Sequence, residues 1–211
     1  MRNFRNVILD WSGTLVDDLG PVVDATNKVL CHYGKSPMTR KEFCDVFCLP
    51  FIDFYKEVLP GIPMPEVEEL YAHFFEESEE RVEVLPGAVS FLNFCRDHDL
   101  STFLLSSIKN EHYEKQSTSL NLNKYFQRVY TEALDKRIWI RSLIDDCSLN
   151  FQETMFVGDM QHDVDTAHSV GVFSVAVLSG YNSKEKLLES VPDLVIDNLC
   201  QLSDYLSRKQ R

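Results

Sequence analysis

The stretch Val7–Asp17, reading VILDWSGTLVD, constrains this chain more than any other. Three apolar residues, Val7 to Leu9, stop abruptly at a carboxylate, Asp10, and a Gly13-Thr14 turn follows. An apolar run of this length bounded by turn residues predicts a buried strand. In open parallel sheets ligands bind just beyond the carboxyl ends of strands, which is where this pattern places Asp10. Gly13 permits a tight turn whose exposed N–H groups can hold an anion. A carboxylate in such a place can attack phosphorus and form an acyl phosphate. A lone Asp more often caps a turn, so the other strand ends have to decide.

They recur along the chain. After Asp17 the pattern changes to helices: Val22, Thr26, Val29, Leu30 and Tyr33 share one face, and Gly34 stops the helix. A second helix is expected from Thr39 with Phe43, Val46 and Phe47, a third around Phe54 to Leu59, and a fourth packing Val67, Leu70, Tyr71, Phe74 and Phe75. The acidic run Glu76–Glu80 reads as a solvated face, with metal binding as the alternative. From Val84-Leu85-Pro86-Gly87 strands resume and alternate with helices: Ser101–Ser107, Arg128–Thr131, Thr154–Asp159, Val172–Val177 and Leu194–Ile196. That alternation predicts an α/β fold, a Rossmann-like parallel sheet covered on both faces. The expected division is a core of 1–16 and 86–211 with an inserted helical domain over 17–85.

Composition narrows the partners. A net charge of -12 and a pI near 4.9 argue against nucleic acid and anionic membrane surfaces. No run approaches membrane-spanning length, and the chain enters its first strand from Met1 without an apolar leader, which predicts a cytoplasmic protein. A monomer or homodimer is expected, with no residue pattern that chooses between them. Six scattered cysteines without a CxxC pair predict buried, reduced thiols.

Four polar positions each stand just past an apolar run: Asp10, Ser106, Lys136 and Asp159, with Asp163 four residues further on. Parallel topology brings strand ends to one edge, so these residues can converge. Carboxylates meeting there repel one another unless a cation neutralises them. Oxygen ligands of this kind suit Mg2+, which keeps several waters and accepts phosphate oxygens. Lys136 and Ser106 would then hold the phosphoryl oxygens. Taken singly, Ser106 reads as a strand-end hydroxyl, Lys136 as a solvated lysine and Asp163 as a helix N-terminal acid. The ordered set is far more specific than its members.

The set resembles the motifs of the haloacid dehalogenase-like (HAD) superfamily, in the branch of phosphoglycolate phosphatase and β-phosphoglucomutase. The first motif, DxDGTLxD, is similar to Asp10–Asp17; a strand-ending Ser or Thr matches Ser106; a lysine after the next strand matches Lys136. GDxxxD matches Gly158-Asp159-Met160-Gln161-His162-Asp163, followed by Asp165-Thr166-Ala167 and Gly171. By this resemblance the chain is a Mg2+-dependent hydrolase acting on a small phosphorylated metabolite. Asp10 would be the nucleophile, with phosphate held by Ser106, Lys136 and backbone N–H groups near Gly13, and Ser12, Gly13, Thr14 and Ser107 would line the substrate. The metal would be held by Asp10, the Ser12 backbone carbonyl, Asp159 and Asp163. The helical insert would be a cap, with Cys48-Leu49-Pro50-Phe51 as its specificity loop.

The chain departs from that pattern at Ser12, where the phosphatases carry a second Asp that protonates the leaving oxygen and then activates water. A serine hydroxyl does neither near neutral pH, and loss of a general acid–base typically costs about 10²–10⁴-fold in rate. Ser107 in place of Asn, and Arg137 in place of the proline that usually follows the lysine, are milder departures. Three explanations compete: a slow or specialised phosphatase; a catalytically impaired protein that binds a phosphorylated ligand or a protein partner; and a phosphonoacetaldehyde hydrolase-like enzyme. The last needs a cap lysine, where this chain has Phe51 and then Lys56. Dehalogenases lack the Gly158-Asp159 pair kept here.

Overall fold

The run Val7-Ile8-Leu9 is wholly buried and forms the central strand of a sheet, β1 (Asn6–Leu9). The computed structural model describes residues 3–78 and 80–209. Met1 and Arg2, on which the expectation of no leader rests, and Glu79 of the acidic run lie outside them. β1 pairs in parallel with β4 (Ser101–Leu105) on one side and β6 (Thr154–Gly158) on the other. β5 (Arg128–Tyr130) extends the sheet beyond β4; β7 (Phe173–Val177) and β8 (Leu194–Ile196) extend it beyond β6. Among the described residues the order is thus β5-β4-β1-β6-β7-β8, all parallel, and the two-residue strands β2 (Val16–Asp17) and β3 (Glu83–Val84) lie outside this sheet. This is the α/β, Rossmann-like architecture that the strand–helix alternation implies.

Register explains the near-continuous apolar strands. Ile8 lies beside Phe103 and Phe156, and these three point to one face. There they pack with Ile140 and Leu143 of α7 (Lys136–Asp146) and Ala167 of α8 (Gln161–Ser169). Val7, Leu9, Leu104, Met155 and Val157 alternate to the other face and are equally buried. A parallel sheet buried on both faces needs apolar residues at every position, not every second one. α5 (Ala88–Asp97) meets β4, α10 (Leu199–Lys209) meets β8, and the two helices pack on each other. α6 (Asn110–Ser119) follows β4 and anchors Trp11: the indole N–H donates to Gln116 Oε1 (2.7 Å), and Tyr113 meets the ring edge-on.

The chain divides into two compact units, Met1–Asp17 with Val84–Arg211, and Asp18–Glu83. The second consists of α1 (Leu19–His32), α2 (Arg40–Val46), α3 (Phe51–Val58) and α4 (Met64–Glu76), with α1 packed on α4. Thr39 is the N-cap of α2 and forms a capping box with Glu42. Phe43, Phe47 and Phe54 cluster at 4.7–5.6 Å between ring centroids. Buried Tyr55 shares a hydrogen bond with Thr26 (3.3 Å).

Several local expectations need correction. Val46 does not pack: it closes α2 and is 44% exposed. The third helix begins at Phe51, three residues before the expected start. α9 (Lys184–Glu189), capped by Ser183, was not anticipated, because its charged six residues are too short to show a period. All six cysteines are free thiols, but only Cys95 is buried; Cys31 and Cys200 are exposed and the others half-buried. An apolar neighbourhood in sequence does not fix which helix face a residue takes. No helix among the described residues is long and apolar enough to cross a membrane.

Candidate active site

β1 ends at Leu9, so Asp10 emerges at the carboxyl edge of the sheet, its N–H still bonded to Val157 O (3.0 Å). β6 ends at Gly158 and delivers Asp159 beside it. Asp163 lies in the first turn of α8, and Lys136 is the first residue of α7. The four side chains converge. Lys136 Nζ lies 2.6 Å from Asp10 Oδ2 and 2.6 Å from Asp163 Oδ1. Asp10, Asp159 and Asp163 each offer an oxygen, all within 4.8 Å of one another. None of the four residues is more than 3% exposed.

Each carboxylate is aimed by fixed partners. Asp10 Oδ1 accepts the Trp11 N–H (2.7 Å) and Asp163 Oδ2 accepts the Met160 N–H (3.0 Å). Asp159 accepts the Thr14 hydroxyl at Oδ1 (3.0 Å) and the Tyr181 N–H at Oδ2 (2.8 Å). Glycines make room for it. A Cβ on Gly13 would fall 2.3 Å, and one on Gly180 2.0 Å, from Asp159 Oδ2. Gly13 also takes φ +70°, which disfavours any side chain. Gly158 gives Asp163 the same clearance, at 2.3 Å.

The electrostatics call for a cation. Burial raises Asp10 above its ordinary pKa, with Lys136 opposing and Asp163 adding to the shift. Burial also raises Asp159 well above the usual carboxylate range, helped by Asp163 and Asp10. Burial alone would lower Lys136, but Asp10 and Asp163 outweigh it and hold the amine charged. Three buried acids against one ammonium leave an excess of negative charge. An all-oxygen donor set with that excess, cleared by glycines, fits a hard divalent cation such as magnesium.

The remaining positions follow β1 and β4 in the chain. Ser12 is half-buried and forms a bridge with Val16. Gly13 O accepts the Ser179 hydroxyl (2.8 Å), and the Thr14 hydroxyl is committed to Asp159. Ser106 (1% exposed) and half-buried Ser107 follow β4 at the same edge, and Ser106 Oγ accepts the Ile108 N–H (3.4 Å). Lys136, which in isolation reads as a solvated lysine, is fully buried.

Two contributors escaped the reading of the sequence. The loop Ser179–Asn182 after β7 holds Gly13 and Asp159, and its only signal was a Gly-Tyr pair at a strand end. His162, at a variable position of GDxxxD, accepts the Lys136 backbone N–H at Nε2 (3.1 Å). Its pKa is lowered to about 4, by burial first and then by Lys136, so the ring is neutral at pH 7.

Sequence and fold comparisons show the family. The model of the haloacid dehalogenase-like hydrolase family matches residues 7–177. The chain is therefore an enzyme of the haloacid dehalogenase-like hydrolase family. It is 24% identical over 208 residues to phosphoglycolate phosphatase of Synechococcus elongatus, covering 97% of this chain and 98% of that one. Phosphoglycolate phosphatase 1 of Pseudomonas aeruginosa is 26% identical, over 94% of this chain and 78% of the relative. Among solved structures, a haloacid dehalogenase-like family hydrolase from Streptococcus pneumoniae superposes with a TM-score of 0.85 at 17% identity, over 97% and 99% of the two chains.

Proposed function

We propose that the protein is a magnesium-dependent phosphatase of small phosphorylated metabolites, similar to phosphoglycolate phosphatase, working through an aspartyl phosphate on Asp10. The observation that carries this reading is the ammonium of Lys136, 2.6 Å from Asp10 in a buried cluster of three acids. The Lys136 ammonium opposes the upward push of burial on Asp10 and so favours its ionised form, which is the nucleophile. One Asp10 oxygen attacks phosphorus in line; an O–P bond forms as the bond to the substrate's alcohol oxygen breaks, and that oxygen leaves as the alcohol with a proton taken from solvent water. Ser106, Lys136 and N–H groups near Gly13 hold the phosphoryl oxygens through both steps. Water then cleaves the acyl phosphate and restores Asp10. Asp10, the Ser12 carbonyl, Asp159 and Asp163 would hold magnesium, which neutralises phosphoryl charge. In this reading the helical unit is a cap, and substrate choice belongs to it.

Ser12 favours a second reading. With no carboxylate there to protonate the leaving group or activate water, the site can bind a phosphorylated ligand yet turn it over slowly. Magnesium-dependent phosphate release from p-nitrophenyl phosphate, acetyl phosphate, phosphoglycolate, sugar phosphates and phosphonoacetaldehyde separates the two. Release that Asp10→Asn abolishes establishes the phosphatase. A silent wild type whose Ser12→Asp variant is active establishes an intact but disarmed site. Silence of both overturns the phosphatase reading for this set of substrates.

A further inference from the structure

The first N–H groups of a helix have no partner within it and must find one elsewhere. At the start of α7, Asp135 is the N-cap, and its Oδ1 accepts the Arg137 N–H (3.1 Å). The Arg137 guanidinium returns to both oxygens of the same carboxylate, at 2.8 Å each, and fixes the cap. The Lys136 N–H takes no part in this cap. It is met by His162 Nε2, 3.1 Å away on α8, and both residues are buried. The next residue of α8, Asp163, accepts the other end of the same lysine at Nζ. Two adjacent residues of one helix thus grip Lys136 at its backbone and at its tip.

We propose that His162 is a positioning residue for the active site: by accepting the Lys136 N–H it ties the first turn of α7 to α8 and keeps Nζ between Asp10 and Asp163. The chemistry is direct. Nε2 accepts only when the proton sits on Nδ1, so the ring acts as a neutral acceptor. Removing it leaves a buried N–H unmet and frees the turn that carries a four-carbon side chain. A displacement of about 1 Å at a catalytic group can cost as much as 10²-fold in rate. The catalytic consequence rests on the role given above to Lys136; the positioning itself does not.

The test compares His162→Phe, which fills the space without an acceptor, with His162→Gln, whose Oε1 can reach the same N–H. Both are made in the full chain and read by NMR without substrate, through hydrogen exchange of the Lys136 amide and the resonance of its Nζ ammonium. In the Phe variant the Lys136 amide should exchange about 10-fold faster or more, while Ile140 inside α7 keeps its protection. The Nζ signal should shift or broaden, and the Gln variant should keep both features within about threefold of wild type. In phosphate release the Phe variant should lower kcat and leave KM nearly unchanged. A folded Phe variant with wild-type exchange and Nζ signal would overturn the proposal. So would a uniform rise across α7, or a folded Gln variant that behaves as Phe does. If Phe does not fold, Gln alone decides by keeping or losing the protection. A wild type that releases no phosphate but shows the expected exchange pattern refutes the phosphatase reading and leaves the positioning role standing.

Discussion

Ser12 and Asp10 stand two residues apart and set opposite expectations for chemistry. Asp10→Asn removes the nucleophile without changing volume, and phosphate release should fall to background in a malachite-green assay. Ser12→Asp should raise turnover about 10²–10⁴-fold, the usual worth of a positioned acid–base group. The same substitution adds an acid beside three that are already crowded, so without magnesium it should lower the urea midpoint. Lys136 is the counterweight. Lys136→Met strands buried carboxylates, and breaking a buried ion pair from one side costs about 3–5 kcal/mol, measurable by urea unfolding in EDTA. If that loss is absent, the lysine does not neutralise the acids as its distances imply.

The elements show why some of this was legible in the sequence and some was not. Apolar strands ending on Asp10, Ser106 and Asp159 announce themselves, because a buried parallel strand leaves only its end free for polar residues. Lys136 and Asp163 were legible through motif spacing, though nothing local marks Lys136 as buried. His162 and the Ser179–Asn182 loop were opaque: they act through a ring nitrogen, a serine hydroxyl and a backbone N–H, which any of several residues could supply. α9 was missed for brevity. The Gly180 turn makes its own prediction. Gly180→Ala would put a methyl 2.0 Å from Asp159 Oδ2, so magnesium affinity by calorimetry should fall at least about 10-fold while the sheet stays folded. In the helical unit, burial pushes the Tyr55 hydroxyl up to about 12, partly offset by its bond to Thr26. Because the folded value exceeds the unfolded one near 10, this stabilisation is complete below pH 10 and is lost as pH rises towards 12. The loss is on the order of 2–3 kcal/mol. Urea midpoints between pH 9 and 11.5 should fall less steeply in Tyr55→Phe than in wild type.

At the scale of the molecule, the sheet lies entirely within the unit formed by Met1–Asp17 and Val84–Arg211. The Leu85 N–H bonds Leu15 O (3.0 Å), so the two ends of the break in that unit already touch. A short Gly-Ser linker replacing Asp18–Glu83 should therefore leave a core that unfolds cooperatively by circular dichroism. A core that collapses without the helices would show that its stability is borrowed. The strand order carries one more consequence, and it concerns time. β1 is made before the other strands of its sheet, yet its neighbours are β4 and β6, about 95 and 148 positions later in register. On the ribosome the four helices of the insert are complete long before β1 has any strand to pair with. Until Gly158 has been added, the strand bearing Asp10 lacks one flank, and Asp159 does not yet exist. The earliest-made strand of the sheet is thus among the last to acquire both of its neighbours.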